Sequence, residues 1–297
     1  MENAEASAVP VAGGYVYRRH ALAVRIMHWI NVVALTILLM SGLGIFNAHP
    51  ALYWGQSSYN GKPPVLELTA ADTPDGDKRG VTRILGHEFA TDGVLGVSAQ
   101  PNGQRAIRGF PWWMTIPDMQ WLSMSRAWHF FFAWVLVLNG LAYVGYSLVT
   151  RHLSRDLAPT RFDLAGIRQS IVDHLHFRHP AGEASKRYNV LQKFAYLAVI
   201  FVLLPLTILM GLGMSPWLNT VLPGWVGWFG GRQSARTIHF VCAWLIVAFV
   251  LVHVFEVIIT GLFNNLRSMI TGRYRVRTQM SEGNAPGPVS GGNDEAQ

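Results

Sequence analysis

Four runs of apolar residues, each long enough to cross a lipid bilayer, constrain this chain more than any other feature. They cover about 21–46, 127–149, 190–214 and 237–263, and a membrane-spanning helix needs about 20 such residues. Charged residues make up only 14% of the chain, against about 25% in average soluble proteins. Because a soluble surface needs charge, the sequence predicts an all-α integral membrane four-helix bundle.

The charges that flank these runs predict the orientation of the bundle. Basic residues cluster before the first run, between the second and third, and after the fourth, whereas the connection between the third and fourth runs carries only Arg232 and Arg236. The positive-inside rule then puts both termini in the cytoplasm, for a multi-pass protein of a bacterial-type inner membrane. We read the net charge of +7 as membrane-flanking charge in contact with lipid, and we expect no nucleic-acid partner.

This orientation divides the chain into parts. Residues 1–20 are expected to be a cytoplasmic tail and residues 21–271 the four-helix domain, with a long periplasmic loop at 47–124 between the first two helices. Residues 272–297 are rich in Gly, Ser, Asn and Pro, which predicts a disordered cytoplasmic tail. The single cysteine, Cys242, lies inside an apolar run, and there is no C-x-x-C-H motif for covalent haem attachment.

Four histidines lie within the apolar runs, where polar side chains are costly and tend to be functional. His239 and His253 are 14 residues apart in the fourth run. That spacing is close to four helical turns, so both imidazoles project from one face, about 21 Å apart along the helix axis. His129 begins the second run near the outer side, and His28 lies near the inner start of the first run.

Depth therefore pairs His129 with His239 and His28 with His253. Two imidazoles on one haem iron give a bis-histidine b-type haem with no open position, which suits electron transfer. The sequence predicts a di-haem core with two haem b groups, each iron held by two of these residues. An alternative is a transporter that uses its membrane histidines without haem. The broken helices expected of such a protein are not evident beyond Pro205 in the third run.

Two further patterns lie around the histidines. Arg25, Arg126 and Arg236 each precede one of them by three residues, so their guanidinium groups are candidates to bind haem propionates. Arginines also flank membrane helices simply to reach the interface. Gly42 follows the first histidine by 14 residues and Gly140 follows the second by 11. Glycine at these places lets a macrocycle pass, or else allows close helix contact.

With these residues, the chain from about 17 to 270 resembles the bacterial cytochrome b561 and hydrogenase or formate dehydrogenase cytochrome b superfamily. In detail it is similar to the thiosulfate-reductase-type cytochrome b subunit. The resemblance rests on the histidine positions, on the opening Arg25-Ile-Met-His28-Trp29, and on the stretch from Gly230 to His239. It implies the histidine pairing given above.

The stretch 187–193 resembles the entry to the third helix in that family, which implies a quinone site near the inner haem. Asn189, Gln192 and Lys193 carry donors that suit a quinone carbonyl, although helix capping and snorkelling explain them equally well. The resemblance also implies electron transfer between the quinone pool and a periplasmic oxidoreductase, in particular a molybdopterin enzyme, to which the substrate chemistry would belong. The alternative is a self-contained oxidoreductase that oxidises superoxide or reduces ferric iron.

Overall fold

The structure, a computed structural model, describes residues 9–11, 14–58, 61–151, 153, 158–175 and 190–277. Four of the helices in this part of the chain are long and apolar enough to cross a membrane: α1, α2, α5 and α7. In chain order the helices are α1 (Leu22–Phe46), α2 (Leu122–Val149), α3 (Arg161–Ala165), α4 (Ile167–Leu175), α5 (Val190–Gly213), α6 (Pro216–Val221), α7 (Arg232–Ile259) and α8 (Leu262–Thr271).

The long helices alternate in direction, so the bundle has two distinct ends. We call the end where α1 finishes and α2 begins the loop end, and the end where α1 begins and α7 finishes the terminal end. Along its length α1 packs against α2, and α5 packs against α7. Asn139 on α2 is buried and joins α1 by donating hydrogen bonds to the carbonyl oxygen of Met27 and to Oδ1 of Asn31, both at 2.8 Å.

Helices α2 and α7 begin earlier than the apolar runs predict, at Leu122 and Arg232. Their first turns contain Ser and Arg, which a hydropathy scan rejects but which a helix end accommodates at the membrane surface. The third span contains Pro205, which has no N–H to donate to the preceding turn. A π-helical segment, Val199–Leu203, ends two residues before this proline, and it interrupts the regular α-helical hydrogen bonds.

The prediction of an all-α fold is wrong, because the described residues also form nine strands. These are β1 (Val9–Val11), β2 (Gly14–Arg18), β3 (Ala51–Leu52), β4 (Leu66–Asp72), β5 (Lys78–Ile84), β6 (His87–Ala90), β7 (Gly96–Ala99), β8 (Arg105–Arg108) and β9 (Arg273–Arg277).

Strands β3 to β8 lie in the long connection between α1 and α2. We call residues 47–121 the loop module. It contains a four-stranded antiparallel sheet in the order β3-β4-β5-β6 and a two-stranded β7-β8 hairpin. Leu52, Leu68 and Phe110 form its core together with Leu43 and Phe46 from the end of α1. The strands have at most seven residues, so a search for runs of about 20 residues does not detect them.

The loop module is fixed to the loop end of the bundle by buried polar groups. Asn47, directly after α1, accepts a hydrogen bond from the backbone N–H of Phe110 at 2.7 Å and donates one to its carbonyl oxygen at 3.0 Å. Thr237 on α7 donates its hydroxyl to the carbonyl oxygen of Tyr53 at 2.7 Å. These contacts hold the module against both α1 and α7.

A second sheet lies at the terminal end, where β2 pairs with β1 on one side and with β9 on the other. The predicted disordered tail from residue 272 is therefore wrong for 273–277, while 278–297 lie outside the described residues. Arginine alternates with Tyr274 and Val276 in β9, and these two bury against Tyr17 of β2. This period of two is typical of a half-buried strand. The strand was not predicted because the tail was judged by its overall composition, which the residues after 277 dominate.

Candidate functional site

At the loop end of the bundle, His129 of α2 faces His239 of α7, with ring centroids 6.1 Å apart and ring planes at 66°. Each ring is held through Nδ1. His239 Nδ1 lies 2.8 Å from the carbonyl oxygen of Thr207 on α5, and His129 Nδ1 lies 3.1 Å from that of Leu38 on α1. Because a carbonyl only accepts, each Nδ1 is the protonated nitrogen, and Nε2 keeps the free lone pair.

At the terminal end, His28 of α1 faces His253 of α7, with ring centroids 6.4 Å apart and ring planes at 57°. The ring of Phe249 stacks on His253 at 13°, and Tyr196 meets it edge-on. Nδ1 of His28 is buried and has no hydrogen-bond partner among the described residues. The two imidazoles of α7 thus belong to different pairs, one toward each end of the bundle.

Two glycines leave room for the loop-end imidazoles. A Cβ at Gly42 would lie 3.3 Å from Cε1 of His129, and a Cβ at Gly211 would lie 3.3 Å from Cε1 of His239. These contacts are tighter than a Cβ normally makes, so a side chain at either position would press on the ring. Gly140 differs, because a Cβ there would meet nothing within 4 Å.

The three arginines of the sequence pattern have different surroundings. Arg236 donates hydrogen bonds to the carbonyl oxygens of Ala51, at 3.0 Å, and His49, so it joins α7 to the loop module. The guanidinium of Arg126 lies over the Phe130 ring, 5.6 Å from its centroid, and the residue is exposed. Nε of Arg25 is buried and has no hydrogen-bond partner among the described residues.

The predicted quinone residues lie at the start of α5, on the terminal side. Lys193 donates a hydrogen bond to Oδ2 of Asp163 at 2.8 Å, and both side chains are largely buried. The Lys193 ammonium, together with the backbone N–H of Thr160, lowers the pKa of Asp163 to about 2. Gln192 is half-buried, and Asn189 lies outside the described residues.

Comparison with known proteins shows which family contains a chain with these paired histidines. The family described as prokaryotic cytochrome b561 matches residues 19–272, which is most of the chain. The chain belongs to the prokaryotic cytochrome b561 family. This confirms the superfamily that the sequence motifs predicted, and the four apolar helices make this family member a multi-pass membrane protein.

Two relatives resemble this cytochrome b561 protein over most of their length. A putative protein-methionine-sulfoxide reductase subunit YedZ1 of Azospira oryzae is 25% identical over 239 residues, covering 80% of this chain and 89% of the relative. A probable Ni/Fe-hydrogenase B-type cytochrome subunit of Cupriavidus necator is 24% identical over 294 residues, covering 95% and 91%. Both are named as subunits.

Cytochromes of this family bind haem b, and the paired imidazoles fit such a group. Two imidazoles that bind one metal ion from opposite sides, with bonds of about 2 Å, have ring centres roughly 6 Å apart. The observed separations are 6.1 and 6.4 Å. The hydrogen bonds from Nδ1 to backbone carbonyls are those that a ligating histidine commonly makes through its other nitrogen. The donor set therefore fits two bis-histidine sites.

The sequence reasoning missed three residues of the loop-end site: Ser41, Thr207 and Gly211. Ser41 Oγ lies 3.1 Å from Nδ1 of His129 and donates its own hydroxyl to the carbonyl oxygen of Ile37 at 2.6 Å. Thr207 contributes only a backbone oxygen, which carries no sequence signal. Gly211 lies on α5, which contributes no membrane histidine, so nothing in the sequence directed attention to it.

Proposed function

We propose that this chain is a di-haem b-type membrane subunit that transfers electrons between the quinone pool and an oxidoreductase bound at the loop end. The observation that carries the proposal is the arrangement of the histidines. Helix α7 offers one imidazole to each of two facing pairs, His129 with His239 and His28 with His253. Because His239 and His253 are 14 positions apart on α7, the two pairs lie about 21 Å apart along the helix, one in each half of the membrane.

Each residue has a defined part in this function. The four histidines would hold two haem b groups, which supply reversible one-electron redox chemistry when bound. Because two histidines would bind each iron, no position on the iron would remain open to oxygen. The carbonyls of Leu38 and Thr207 fix the ring orientation and tautomer of the two loop-end histidines. The four apolar helices surround both histidine pairs, and an apolar surrounding excludes water from the haem sites.

Haem stoichiometry in purified protein tests this proposal. We expect two haem b per chain in a redox difference spectrum with quantitation of extracted haem. His129→Ala and His239→Ala should each lose the same haem, and His28→Ala and His253→Ala the other. His87→Ala, on exposed strand β6, is the matched control and should keep both. Colourless wild-type protein, or ligand variants that keep two haems, would contradict the assignment.

Arginine side chains near the two levels are available for haem propionates. Arg25 has a buried Nε without a partner among the described residues, and Arg126 makes its described contact with an aromatic ring. Both guanidinium groups can therefore donate hydrogen bonds to a carboxylate without giving up a described hydrogen bond. Arg236 already donates to two carbonyls, so its first role is to anchor the loop module. Arg25→Gln and Arg126→Gln should shift the midpoint potential of one haem each, measured by potentiometric titration.

The terminal end is the proposed site of quinone exchange. Tyr196, one turn after Lys193 on α5, contacts the ring of His253, which places this turn at the level of the terminal pair. Asn189, Gln192 and Lys193 are the proposed quinone-binding residues. Lys193→Met should slow the reaction with a soluble quinol analogue while the haem content stays at two. An unchanged rate would remove Lys193 from the quinone site.

The loop module is the proposed docking surface for the electron-transfer partner. Two observations support this: the module is a folded sheet structure fixed over the loop-end pair, and both relatives are named as subunits of reductase or hydrogenase systems. The partner we propose is a periplasmic molybdopterin oxidoreductase. Purification from native membranes in mild detergent, with metal analysis, should give molybdenum in fixed ratio to haem. Turnover by the isolated chain with superoxide or ferric iron would instead indicate a self-contained oxidoreductase.

A further inference from the structure

The two loop-end histidines are seated in the same way on two different helices. Nδ1 of His129 faces the carbonyl of Leu38 on α1, and Gly42 follows four residues later. Nδ1 of His239 faces the carbonyl of Thr207 on α5, and Gly211 follows four residues later. We call each pair, Leu38 with Gly42 and Thr207 with Gly211, a carbonyl–glycine notch.

The spacing of four residues explains why the notch works. In an α-helix the carbonyl of residue i points at residue i+4, so a side chain there would cover the oxygen from the outside. A Cβ at Gly42 would lie 3.6 Å from Nδ1 of His129, and one at Gly211 would lie 3.5 Å from Nδ1 of His239. Glycine therefore opens the carbonyl to a second donor from a neighbouring helix.

Among the described residues, the terminal pair has no equivalent notch. Nδ1 of His28 is buried without a hydrogen-bond partner in the described part of the chain. His253 is held by aromatic contacts with Phe249 and Tyr196 and makes no hydrogen bond to any described residue. Both loop-end imidazoles thus donate a hydrogen bond from Nδ1, and neither terminal imidazole does so among the described residues.

We propose that the two notches, with Ser41, give the loop-end haem a lower midpoint potential than the terminal haem. This rests on the proposed function, since it takes the four histidines as ligands. A proton shared with a carbonyl leaves more negative charge on the imidazole and makes Nε2 a stronger electron donor. A stronger axial donor stabilises ferric over ferrous iron and lowers the potential. Ser41 adds a second acceptor at His129, because its own proton goes to Ile37.

This order of the two haem midpoint potentials gives electron transfer through the bundle a preferred direction, from the loop end to the terminal end. A reduced partner at the loop end is oxidised when it gives one electron to the loop-end haem, and the passage of that electron to the terminal haem is downhill. Two such electrons, with two protons taken from water at the terminal side, reduce one quinone to quinol. The notches thus favour a partner that donates electrons over one that consumes them.

Potentiometric titration of the purified di-haem protein tests the proposal. We expect two resolved one-electron waves, and His239→Ala, which removes the loop-end haem, should delete the lower one. Ser41→Ala removes an acceptor without adding bulk, so it should move the lower wave upward and leave the other in place. Gly42→Ala and Gly211→Ala should do the same by displacing the imidazole from its carbonyl. Gly145→Ala, at an exposed position of α2 where a Cβ would meet nothing within 4 Å, is the matched control and should shift neither wave.

The outcomes separate this inference from the proposed function. If the protein binds no haem, the ligand assignment fails and the notches lose their role with it. If two haems bind but His239→Ala deletes the higher wave, the proposed function stands and the inference is overturned. The same holds if Ser41→Ala and both notch variants leave the lower wave where it was. If Gly42→Ala or Gly211→Ala loses the loop-end haem, the test of the lower potential rests on Ser41→Ala alone, because that change adds no bulk to the site.

Discussion

Replacing Arg108 with methionine should destabilise the loop module around β7 and β8. Arg108, at the end of β8, is 2% exposed, and its guanidinium donates four hydrogen bonds. Two go to backbone carbonyls, of Phe110 at 2.8 Å and Asp118 at 2.9 Å, and two go to the side chains of Gln100 at 3.1 Å and Thr115 at 3.0 Å. Burial lowers the pKa of Arg108, but an arginine remains charged in proteins, so all four bonds are charge-assisted.

The cost of the Arg108→Met change follows from what each acceptor can do afterwards. Gln100 and Thr115 can rotate toward other partners, and the carbonyl of Phe110 keeps its bond from Asn47. The carbonyl of Asp118 loses the hydrogen bond that Arg108 gave it. Counting this one fully lost charge-assisted bond at about 1.5–3 kcal/mol gives a loss of about 1.5–3 kcal/mol. That is a large fraction of the stability of a small folded unit.

Hydrogen exchange of the backbone amides in β7 and β8 measures this loss directly. A change of about 1.5–3 kcal/mol corresponds to exchange faster by roughly 10- to 150-fold, confined to the module because the membrane helices keep their packing. Arg105→Met, on the same strand, is the matched control. Its ion pair with Asp92 is about half exposed, so it should cost about 0–1 kcal/mol. Equal exchange rates in the two variants would refute the assigned role of Arg108.

Three further changes test other parts of the structure. Asp163→Asn removes the partner of Lys193. The pKa of the Asp163 carboxyl in the folded protein is lowered to about 2, so the stability that its charge adds is complete above about pH 4 and is lost toward pH 2. The difference in melting temperature between wild type and variant should therefore shrink from about pH 4 to pH 2. Asp75→Cys in the loop module should react with an impermeant maleimide in intact cells and Leu164→Cys on α3 only after permeabilisation; the reverse would invert the predicted orientation. Asn139→Leu, which loses two hydrogen bonds to α1, should cost about 1–2 kcal/mol in an SDS unfolding titration.

The sequence predicted what depends on long apolar runs and on helical period. Each of the four spans is one continuous signal of about 20 residues, and the 14-residue spacing of His239 and His253 requires only that their segment be helical. The facing histidine pairs then follow from depth alone. The loop module escaped because its strands are short and are stabilised by contacts distant in sequence, such as Phe110 with Phe46 of α1. The sequence did not predict the notch at Thr207, because it uses a backbone carbonyl, which every residue has.

The unequal support of the two histidine pairs matches the different tasks that the proposed function gives them. At the loop end, hydrogen bonds from α1 and α5 fix both rings, and Arg236 joins α7 to the loop module. Electron transfer to a separate protein depends steeply on distance, so a rigid site serves a docked partner. At the terminal end, His253 is held by aromatic packing with Phe249 and Tyr196, which tolerates small displacements. A quinone that enters and leaves its binding site needs that tolerance, so stiffening this end should slow quinone exchange before it alters haem binding.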